Sequence, residues 1–441
     1  ASVSTQEKHK VDMQKARDFY LKLFSSMGFE TKILKGIKRD AIFAELITSH
    51  QSPTVLIYGH YDIQPAEPLD EWKTPPFEPV IMNGEIYARG SADNKAQHMI
   101  HIMAVKKLTD KSKKLKVNFK FLIEGEEEVG SPSIESFAKK YADNLLKCDF
   151  MMVSDTGMRE GQPGIDIGLR GLLYTEVKIQ TAKHDLHSGE YGGIAENPIN
   201  ILSRIISQLK DQNNCILIPN FYKDVIKLTE KERDEIKYIE KGQDRLIREG
   251  ELFGIGGGEE KYLLGERKWT QPTLDINGIW GGYQEEGSKT IIPASASAKI
   301  SMRLVPNQDN DKVFANFEKY VKSLVPKWIE LEIIRHADCL PYVAPVNHPV
   351  FTLINQSLTK IYKKKPIYKR VSGSIGFVPI MAKALKVPVI MVGFALSGSN
   401  IHAPNEHFNI SNYFKGIEVM KDFYQSISIS GCEYFHLDKT K

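Results

Sequence analysis

The chain has 441 residues and a net charge of +4, with 41% hydrophobic and 26% charged residues. This length is too great for one ordinary hydrophobic core, so we expect two or three domains. The small net charge argues against nucleic-acid binding, which needs a strong basic bias. The longest apolar stretch, residues 387–396, is too short to span a bilayer, so no membrane role is predicted.

The cysteines indicate a reducing compartment. Cys148, Cys215, Cys339 and Cys432 are scattered and form no Cys-x-x-Cys pair, a pattern that favours reduced thiols over a disulfide framework. The first twelve residues are polar and charged and lack the apolar core of a signal peptide. We therefore predict a cytoplasmic protein.

The first third of the chain alternates predicted helices and strands. Apolar residues at helical spacing predict helices at residues 11–27 and 94–108. Short apolar runs predict strands at residues 42–47, 54–58, 117–123 and 149–153. This alternation predicts an α/β fold, a mostly parallel sheet with helices on both faces, whose chemistry collects at the carboxyl ends of the strands.

The pattern changes after Asp155. A strand is predicted at residues 173–181 and an amphipathic helix at 197–209, followed by a charged, glycine-rich segment. A helix-and-strand pattern returns near residue 343. We therefore predict a catalytic domain in two parts, residues 1–172 and 341–441, interrupted by an inserted α+β domain at residues 173–340.

A His-x-Asp pair follows the predicted strand at residues 54–58, in the sequence Gly59-His60-Tyr61-Asp62. At the carboxyl end of a strand the imidazole of His60 can bind a metal, while the Asp62 carboxylate orients its other nitrogen. A hydrogen-bonded turn explains this pair equally well when it is taken alone.

Acidic residues also stand next to other predicted elements. Asp93 stands just before a predicted helix, where helix capping is the alternative role, and Asp155 follows a strand. Four acids within Glu124-Gly125-Glu126-Glu127-Glu128 follow the apolar strand at residues 117–123. Acids crowded at the end of a buried strand repel one another unless a cation is bound. A solvated loop is the alternative for this run.

A second histidine, His402, lies in the loop after the last predicted strand, at residues 387–392. Two histidines and several carboxylates at strand ends predict a two-metal site. Imidazole and carboxylate ligands suit zinc, manganese or cobalt. Two such ions hold a water, lower its pKa and polarise a carbonyl, and a spare carboxylate takes the proton. The pattern therefore predicts a metal-dependent hydrolase that attacks a carbonyl with water.

These segments, in their order along the chain, resemble the carnosine dipeptidase, aminoacylase and succinyl-diaminopimelate desuccinylase family of metallopeptidases. The matching motifs are Gly59-His60-Tyr61-Asp62, Gly90-Ser91-Ala92-Asp93-Asn94-Lys95, Glu124-Gly125-Glu126-Glu127-Glu128-Val129-Gly130-Ser131, Ser154-Asp155 and His402-Ala403-Pro404-Asn405-Glu406. The cytosolic nonspecific dipeptidase and carnosinase branch is the most similar, through Asp185-Leu186-His187-Ser188-Gly189, Ile218-Pro219-Asn220-Phe221-Tyr222 and Arg303-Leu304-Val305-Pro306-Asn307.

The resemblance implies roles for individual residues. Five of them would bind two divalent ions, zinc or manganese with cobalt as a further candidate: His60 and Asp155 on one ion, Glu128 and His402 on the other, and Asp93 between the two. Glu127 would act as the general base and Asp62 would orient His60. The inserted domain would form a lid and a homodimer, and it would lend His187 to the partner's active site to stabilise the oxyanion.

The resemblance also indicates a substrate pocket. Arg370 and Ser374 would hold the C-terminal carboxylate of a small peptide, with Arg370 making a forked contact. The further substrate-binding candidates are Gly373, Thr290, Arg303 and His336. Arg303 follows a predicted strand at residues 297–302, where pairing with a surface charge is its alternative role. Val371 and Ser372 depart from the family segment Arg-Glu-Gly-Gly-Ser-Ile.

The leading hypothesis is hydrolysis of dipeptides, or small peptides, with a free C-terminal carboxylate by a metal-bound water, with Glu127 as the base. The alternative is a deacylase of N-acyl amino acids or of N-succinyl-diaminopimelate, which shares the same metal motifs. The long segment at residues 210–268 favours the dipeptidase branch. A metal-binding scaffold without catalysis is a third reading, and the presence of Glu127 beside a full ligand set argues against it.

Overall fold

The structure is a computed structural model that describes residues 1–111, 115–239, 247 and 250–430. Its strands in chain order are β1 (Glu30–Leu34), β2 (Ala41–Leu46), β3 (Thr54–His60), β4 (Val80–Met82), β5 (Glu85–Tyr87), β6 (Asn118–Glu124), β7 (Phe150–Val153), β8 (Gly157–Met158), β9 (Gly164–Leu169), β10 (Gly171–Gln180), β11 (Leu186–His187), β12 (Thr273–Gly281), β13 (Ile291–Ile292), β14 (Ser295–Leu304), β15 (Glu330–Cys339), β16 (Tyr342–Val343), β17 (Ile367–Val371), β18 (Val389–Met391), β19 (Ala395–Leu396) and β20 (His407–Asn409). Its α-helices are α1 (Lys10–Ser26), α2 (Ala96–Lys111), α3 (Ile134–Tyr141), α4 (Ser188–Tyr191), α5 (Pro198–Ser207), α6 (Glu230–Ile239), α7 (Leu264–Trp269), α8 (Asn310–Leu324), α9 (Pro349–Tyr362), α10 (Phe377–Leu385) and α11 (Ile410–Ser430). None of the helices in these ranges has the length and apolar character needed to cross a membrane.

The chain divides into two compact units. The first unit comprises Ala1–Ile167, Ala344–Lys369 and Gly376–Lys441, and the second comprises Gly168–Val343 and Arg370–Ile375. We expected residues 370–375 in the catalytic part, but they pack within the second unit. The reason is local, because the Ser374 hydroxyl donates to the carbonyl of Arg170 at 2.6 Å.

The first unit is built on a mixed sheet in the strand order β1-β2-β6-β3-β7-β18-β9. The central strands β6, β3, β7 and β18 are parallel, whereas β1, β2 and β9 pair in the antiparallel sense. Every residue of β6 is buried, as expected for a parallel strand with both faces covered. The predicted α/β class with a parallel sheet is therefore confirmed, and antiparallel strands extend it at both edges.

The second unit contains a four-stranded antiparallel sheet in the order β12-β14-β10-β15. Helices α5 and α8 cover one face, and their apolar side chains share a core with those of β10 and β14. Both helices begin at polar caps, since the side chains of Asn197 and Asp309 accept hydrogen bonds from backbone N–H groups of the first turn. The prediction that Arg303 follows its strand is wrong, because β14 continues to Leu304.

The parallel strands position the candidate site. Strands β3, β6, β7 and β18 end at the same edge of the sheet, so the segments that follow them meet there. His60 is the last residue of β3, and its register partner on β6 is Glu124. Residues far apart in the sequence are thereby placed side by side.

Candidate metal centre

Five side chains converge at this edge of the sheet. One ligand atom from each of His60, Asp93 and Asp155 lies within 4.8 Å of the others, and the same holds for Asp93, Glu128 and His402. The Nε2 atom of His60 is 3.0 Å from Oδ1 of Asp93, while Nε2 of His402 is 2.8 Å from Oδ2. The two oxygens of Asp93 thus face different histidines, an arrangement that suits a carboxylate shared by two ions.

Asp62 is the partner of the Nδ1 atom of His60. The Nδ1 atom of the fully buried His60 lies 3.0 Å from the Asp62 carbonyl and 3.4 Å from its carboxylate oxygen Oδ1. The carboxylate of Asp62 accepts hydrogen bonds from the backbone N–H groups of Glu127, at 3.3 Å, and Glu128, at 3.0 Å. We expected the carboxylate to be the group that orients the imidazole, but the carbonyl is the nearer partner.

The four acids at the end of β6 and just after it have different partners. Glu124 accepts a hydrogen bond from the hydroxyl of Tyr58, and Glu126 accepts hydrogen bonds from three backbone N–H groups. These two acids therefore anchor the loop. Glu128 instead lies 3.4 Å from Nε2 of His402, and it neighbours Glu127 in the same short turn.

The electrostatics of the cluster suit a divalent cation. Burial raises the pKa of Asp155 above its ordinary value, and hydrogen bonds to Asp93 and Glu128 raise the pKa of His402 to about 10. Burial acts to raise the pKa of Asp93, but hydrogen bonds from His402 and His60 hold that pKa below its usual range. The carboxylates thus share protons with two imidazoles, and metal ions would replace that positive charge.

An unpartnered atom also fits a metal. Within the described residues, the buried Oε1 atom of Glu128 has no hydrogen-bond partner, although Oε2 accepts from Nε2 of Gln64 at 2.7 Å. A buried carboxylate oxygen without a donor is costly unless a cation is nearby. The ligand types, one imidazole and two carboxylates in each group, suit zinc or manganese.

Glu406, which was not among the predicted site residues, supports the segment that carries Asp93. Its buried carboxylate accepts hydrogen bonds from three backbone N–H groups within residues 90–93 and from the guanidinium of Arg89 at 2.9 Å. Helix α2 begins only at Ala96, so Asp93 does not cap it. The sequence feature that could have identified Glu406 is its position in the same motif as His402.

The second unit brings some of the predicted substrate residues together. Nη1 of Arg303 donates to the hydroxyl of Ser374 at 2.9 Å. The carbonyl of Gly373 accepts a hydrogen bond from the backbone N–H of Arg170 at 3.2 Å, and the guanidinium Nε of Arg170 donates to the carbonyl of Ser372 at 2.8 Å. Arg170 was not among the predicted residues, since its position after β9 gives no pattern in the sequence.

Two other predicted residues have carboxylate partners within the second unit. Nη2 of Arg370 lies 3.2 Å from Oε1 of Glu232, and Nε2 of His336 lies 2.8 Å from Oε2 of Glu176. The strands therefore place His336 beside a buried carboxylate, a contact that the sequence analysis did not anticipate.

His187 and Thr290 are exposed neighbours in the second unit. The carbonyl of Thr290 accepts a hydrogen bond from the backbone N–H of Ser188 at 3.1 Å. The Nδ1 atom of His187 accepts from the backbone N–H of Gly189 at 2.9 Å. In the neutral imidazole the proton of His187 therefore resides on Nε2, which is left as a donor.

The chain is similar to characterised and solved peptidases. It is 32% identical over 387 residues to the Cys-Gly metallodipeptidase DUG1 of Saccharomyces cerevisiae, covering 86% of this chain and 80% of that one. It is 29% identical over 394 residues to the Beta-Ala-His dipeptidase of Mus musculus, covering 88% and 80%. The crystal structure of the M20 family metallo-carboxypeptidase Sso-CP2 from Sulfolobus solfataricus superposes with a TM-score of 0.84 at 35% identity and 94% coverage of both chains.

The structure of human carnosine dipeptidase 1 is also similar, with a TM-score of 0.77, 25% identity and coverage of 97% of this chain and 93% of that one. The model of Peptidase family M20/M25/M40 matches residues 56–426, a range that includes all five converging side chains. The predicted family resemblance is confirmed, and the chain belongs to peptidase family M20/M25/M40.

Proposed function

We propose that this metallopeptidase hydrolyses the amide bond of dipeptides that carry a free C-terminal carboxylate, with two divalent ions in its active site. The observation that carries the proposal is the shared carboxylate of Asp93, whose oxygens face His60 and His402. In this proposal Asp155 is the third ligand of the ion at His60, and Glu128 is the third ligand of the ion at His402. Zinc or manganese is the proposed metal, with cobalt as a substitute. The dipeptidase names of the yeast and mouse relatives support the substrate class.

The chemistry is divided between the ions and the protein. Divalent ions held by these ligands would supply a nucleophile from water at neutral pH and would polarise the scissile carbonyl. Glu127 takes the proton of the attacking water and returns it to the leaving amine. Asp62 contacts His60 through its carbonyl and the Glu127 backbone through its carboxylate. It therefore holds a proposed metal ligand and the proposed base in place relative to each other.

Recognition of the substrate carboxylate is assigned to the second unit. We propose that Arg370 and Ser374 hold this carboxylate, because positive charge is concentrated around the segment Arg370–Ile375. Arg303 donates to Ser374, and burial together with the nearby charge of Arg303 lowers the pKa of Arg170 to about 10. The remaining proposed substrate contacts come from Gly373, Thr290, Arg303 itself and His336.

Substrate selectivity provides the test of this function. We expect the protein reconstituted with manganese or zinc to hydrolyse a simple dipeptide such as Ala-Ala, but neither its C-terminal amide nor its N-acetylated form. A chelator should abolish the activity, and added metal should restore it. Cleavage of the N-acetylated form instead would identify a deacylase, and no cleavage of the three compounds by metal-loaded protein would support a non-catalytic scaffold.

We propose that the second unit forms a lid and a homodimer in which His187 reaches the partner's active site. His187 is exposed and has a donor at Nε2, so it can stabilise the oxyanion of a substrate that the partner holds. The family resemblance of the segment at residues 185–189 provides the further support.

Mixed dimers test whether His187 acts in the partner's site. We expect His187→Ala and Glu127→Gln each to be nearly inactive alone. Their equal mixture should regain about a quarter of the wild-type active sites, because about half of the dimers are mixed and each mixed dimer has one intact site. The regain is measured as turnover after the subunits are mixed, dissociated and reassociated. If subunit exchange is demonstrated and no activity returns, His187 does not act in the partner's site.

We propose the cytoplasm as the compartment. The three described cysteines, Cys148, Cys215 and Cys339, are free thiols, which are typical of reducing compartments. Cys432 lies outside the described residues.

A further inference from the structure

A chain of hydrogen bonds leads from Asp155 into the core of the first unit. The side-chain amide of Asn94 donates to Oδ1 of Asp155 at 2.7 Å and to the carbonyl of Ser154 at 2.5 Å. Oδ1 of Asn94 lies 2.9 Å from Nδ1 of His98, and Nε2 of His98 lies 2.6 Å from the hydroxyl of Tyr20. Asn94 and His98 are fully buried, and Tyr20 is 3% exposed.

The direction of each hydrogen bond in this chain is determined by its partners. A backbone carbonyl and a carboxylate can only accept, so the NH₂ group of Asn94 must face Ser154 and Asp155. Its oxygen therefore faces His98, and Nδ1 of His98 must carry a proton. Burial lowers the pKa of His98 well below its ordinary value, so the ring is neutral and Nε2 accepts from the hydroxyl of Tyr20.

His98 also packs against the strand that carries His60. A Cβ atom built on Gly59 would lie 2.6 Å from Cβ of His98 and 2.9 Å from its Nδ1 atom. The imidazole therefore occupies the space beside Gly59, directly before His60. The His98 side chain is thus in contact with the residue next to His60, and it is linked through Asn94 to Asp155. His60 and Asp155 are the proposed ligands of the same ion.

The other buried histidine of α2 has a different arrangement. The hydroxyl of Ser154 donates to the carbonyl of Val392 at 2.6 Å, so it accepts from Nε2 of His101 at 2.8 Å. Nδ1 of His101 then accepts from the hydroxyl of Tyr424 at 2.8 Å. His101 is as buried as His98, but its hydrogen bonds do not go to the carboxylate of Asp155 or to Asn94, so it provides a matched control.

We propose that His98 is a positioning residue for the ion held by His60 and Asp155. Its Nδ1–H group fixes the amide of Asn94, and that amide holds Oδ1 of Asp155, the carboxylate oxygen that lies 3.6 Å from Nε2 of His60. Partners that orient a ligand contribute about 10–100-fold to metal affinity. The inference rests on the proposed ligand assignment, and it adds a residue that does not itself contact metal or substrate.

The test measures metal binding as well as activity. We expect His98→Leu to lower the affinity for one of the two ions by about 10–100-fold, measured by calorimetric titration of the apoprotein with Mn²⁺. The affinity for the other ion should change much less. His98→Asn should restore most of the lost affinity, because its side-chain NH₂ can replace the Nδ1–H donor to Asn94. Under saturating metal, His98→Leu should lower kcat more than it raises KM.

The control separates positioning from general stability. His101→Leu should lower the melting temperature of the metal-free protein about as much as His98→Leu does, yet keep the affinity of both ions. If His98→Leu folds poorly, Tyr20→Phe replaces it. Loss of the Tyr20 hydroxyl removes the donor to Nε2 of His98, so the ring is held only at Nδ1, and the affinity for the same ion should fall several-fold. Unchanged binding of both ions in His98→Leu, or in Tyr20→Phe where that variant is needed, would overturn the positioning role. Failure of the wild-type protein to bind two ions would instead overturn the proposed function.

Discussion

Replacing Glu127 with glutamine is expected to lower kcat by about 10²–10⁴-fold while both ions stay bound. The amide has nearly the same size as the carboxylate but cannot take a proton from water. Glu127 belongs to neither of the two groups that converge on Asp93, so its loss removes no proposed ligand. Its backbone N–H, which donates to Asp62, is also kept. The measurement is kcat at saturating substrate, together with the metal content of the same sample.

Glu126→Gln provides the matched control, since it is the same change one residue earlier in the chain. The carboxylate of Glu126 accepts backbone N–H groups and anchors the loop, so this variant should lose stability and keep most of its turnover. A Glu127→Gln variant with near-normal kcat and full metal content would show that another group acts as the base.

The parallel strands and the convergence of histidines and acids at their carboxyl ends could be predicted from the sequence pattern, whereas the choice of the five candidate ligands came from the family resemblance. Apolar runs of strand length, each followed by an acid or a histidine, fix which residues lie at the carboxyl edge of a parallel sheet. His60 and Asp155 come together for this reason alone, because β3 and β7 are adjacent and parallel. The antiparallel pairing of β1 and β2 has no such signal in the sequence, because pairing direction depends on the loops between strands.

The partners of individual side chains could not be predicted. Four acids stand at the end of β6 and just after it, and only tertiary packing decides that Glu124 and Glu126 anchor the loop while Glu128 faces His402. Likewise, Asn94 follows Asp93 directly in the sequence, yet its amide contacts Asp155 across the site. Such contacts depend on side-chain geometry at the level of single hydrogen bonds, which spacing along the chain does not encode.

Asp93→Ala is expected to abolish the binding of both ions, because each proposed ligand group includes Asp93. The loss of affinity should be well beyond the roughly 10–100-fold that removal of an orienting partner causes. Alanine is preferred to asparagine because the amide oxygen of asparagine can still act as a ligand. The loop should keep its shape, since Glu406 binds the backbone N–H of Asp93 and not its side chain. Metal stoichiometry of the purified variant, determined by mass spectrometry of its metals, checks the prediction.

Asp155→Ala is the control that tests whether Asp93 is shared by the two ions. Asp155 belongs to only one of the two groups, so this variant should lose the ion on the His60 side and keep the ion held by Glu128 and His402. Both variants remove one partly or fully buried carboxylate from the same cluster, so a general effect of charge removal would change their metal content alike. If Asp93→Ala retains one ion per subunit, Asp93 serves a single ion and the bridge is wrong. If it retains both, neither group that converges on Asp93 is the metal site.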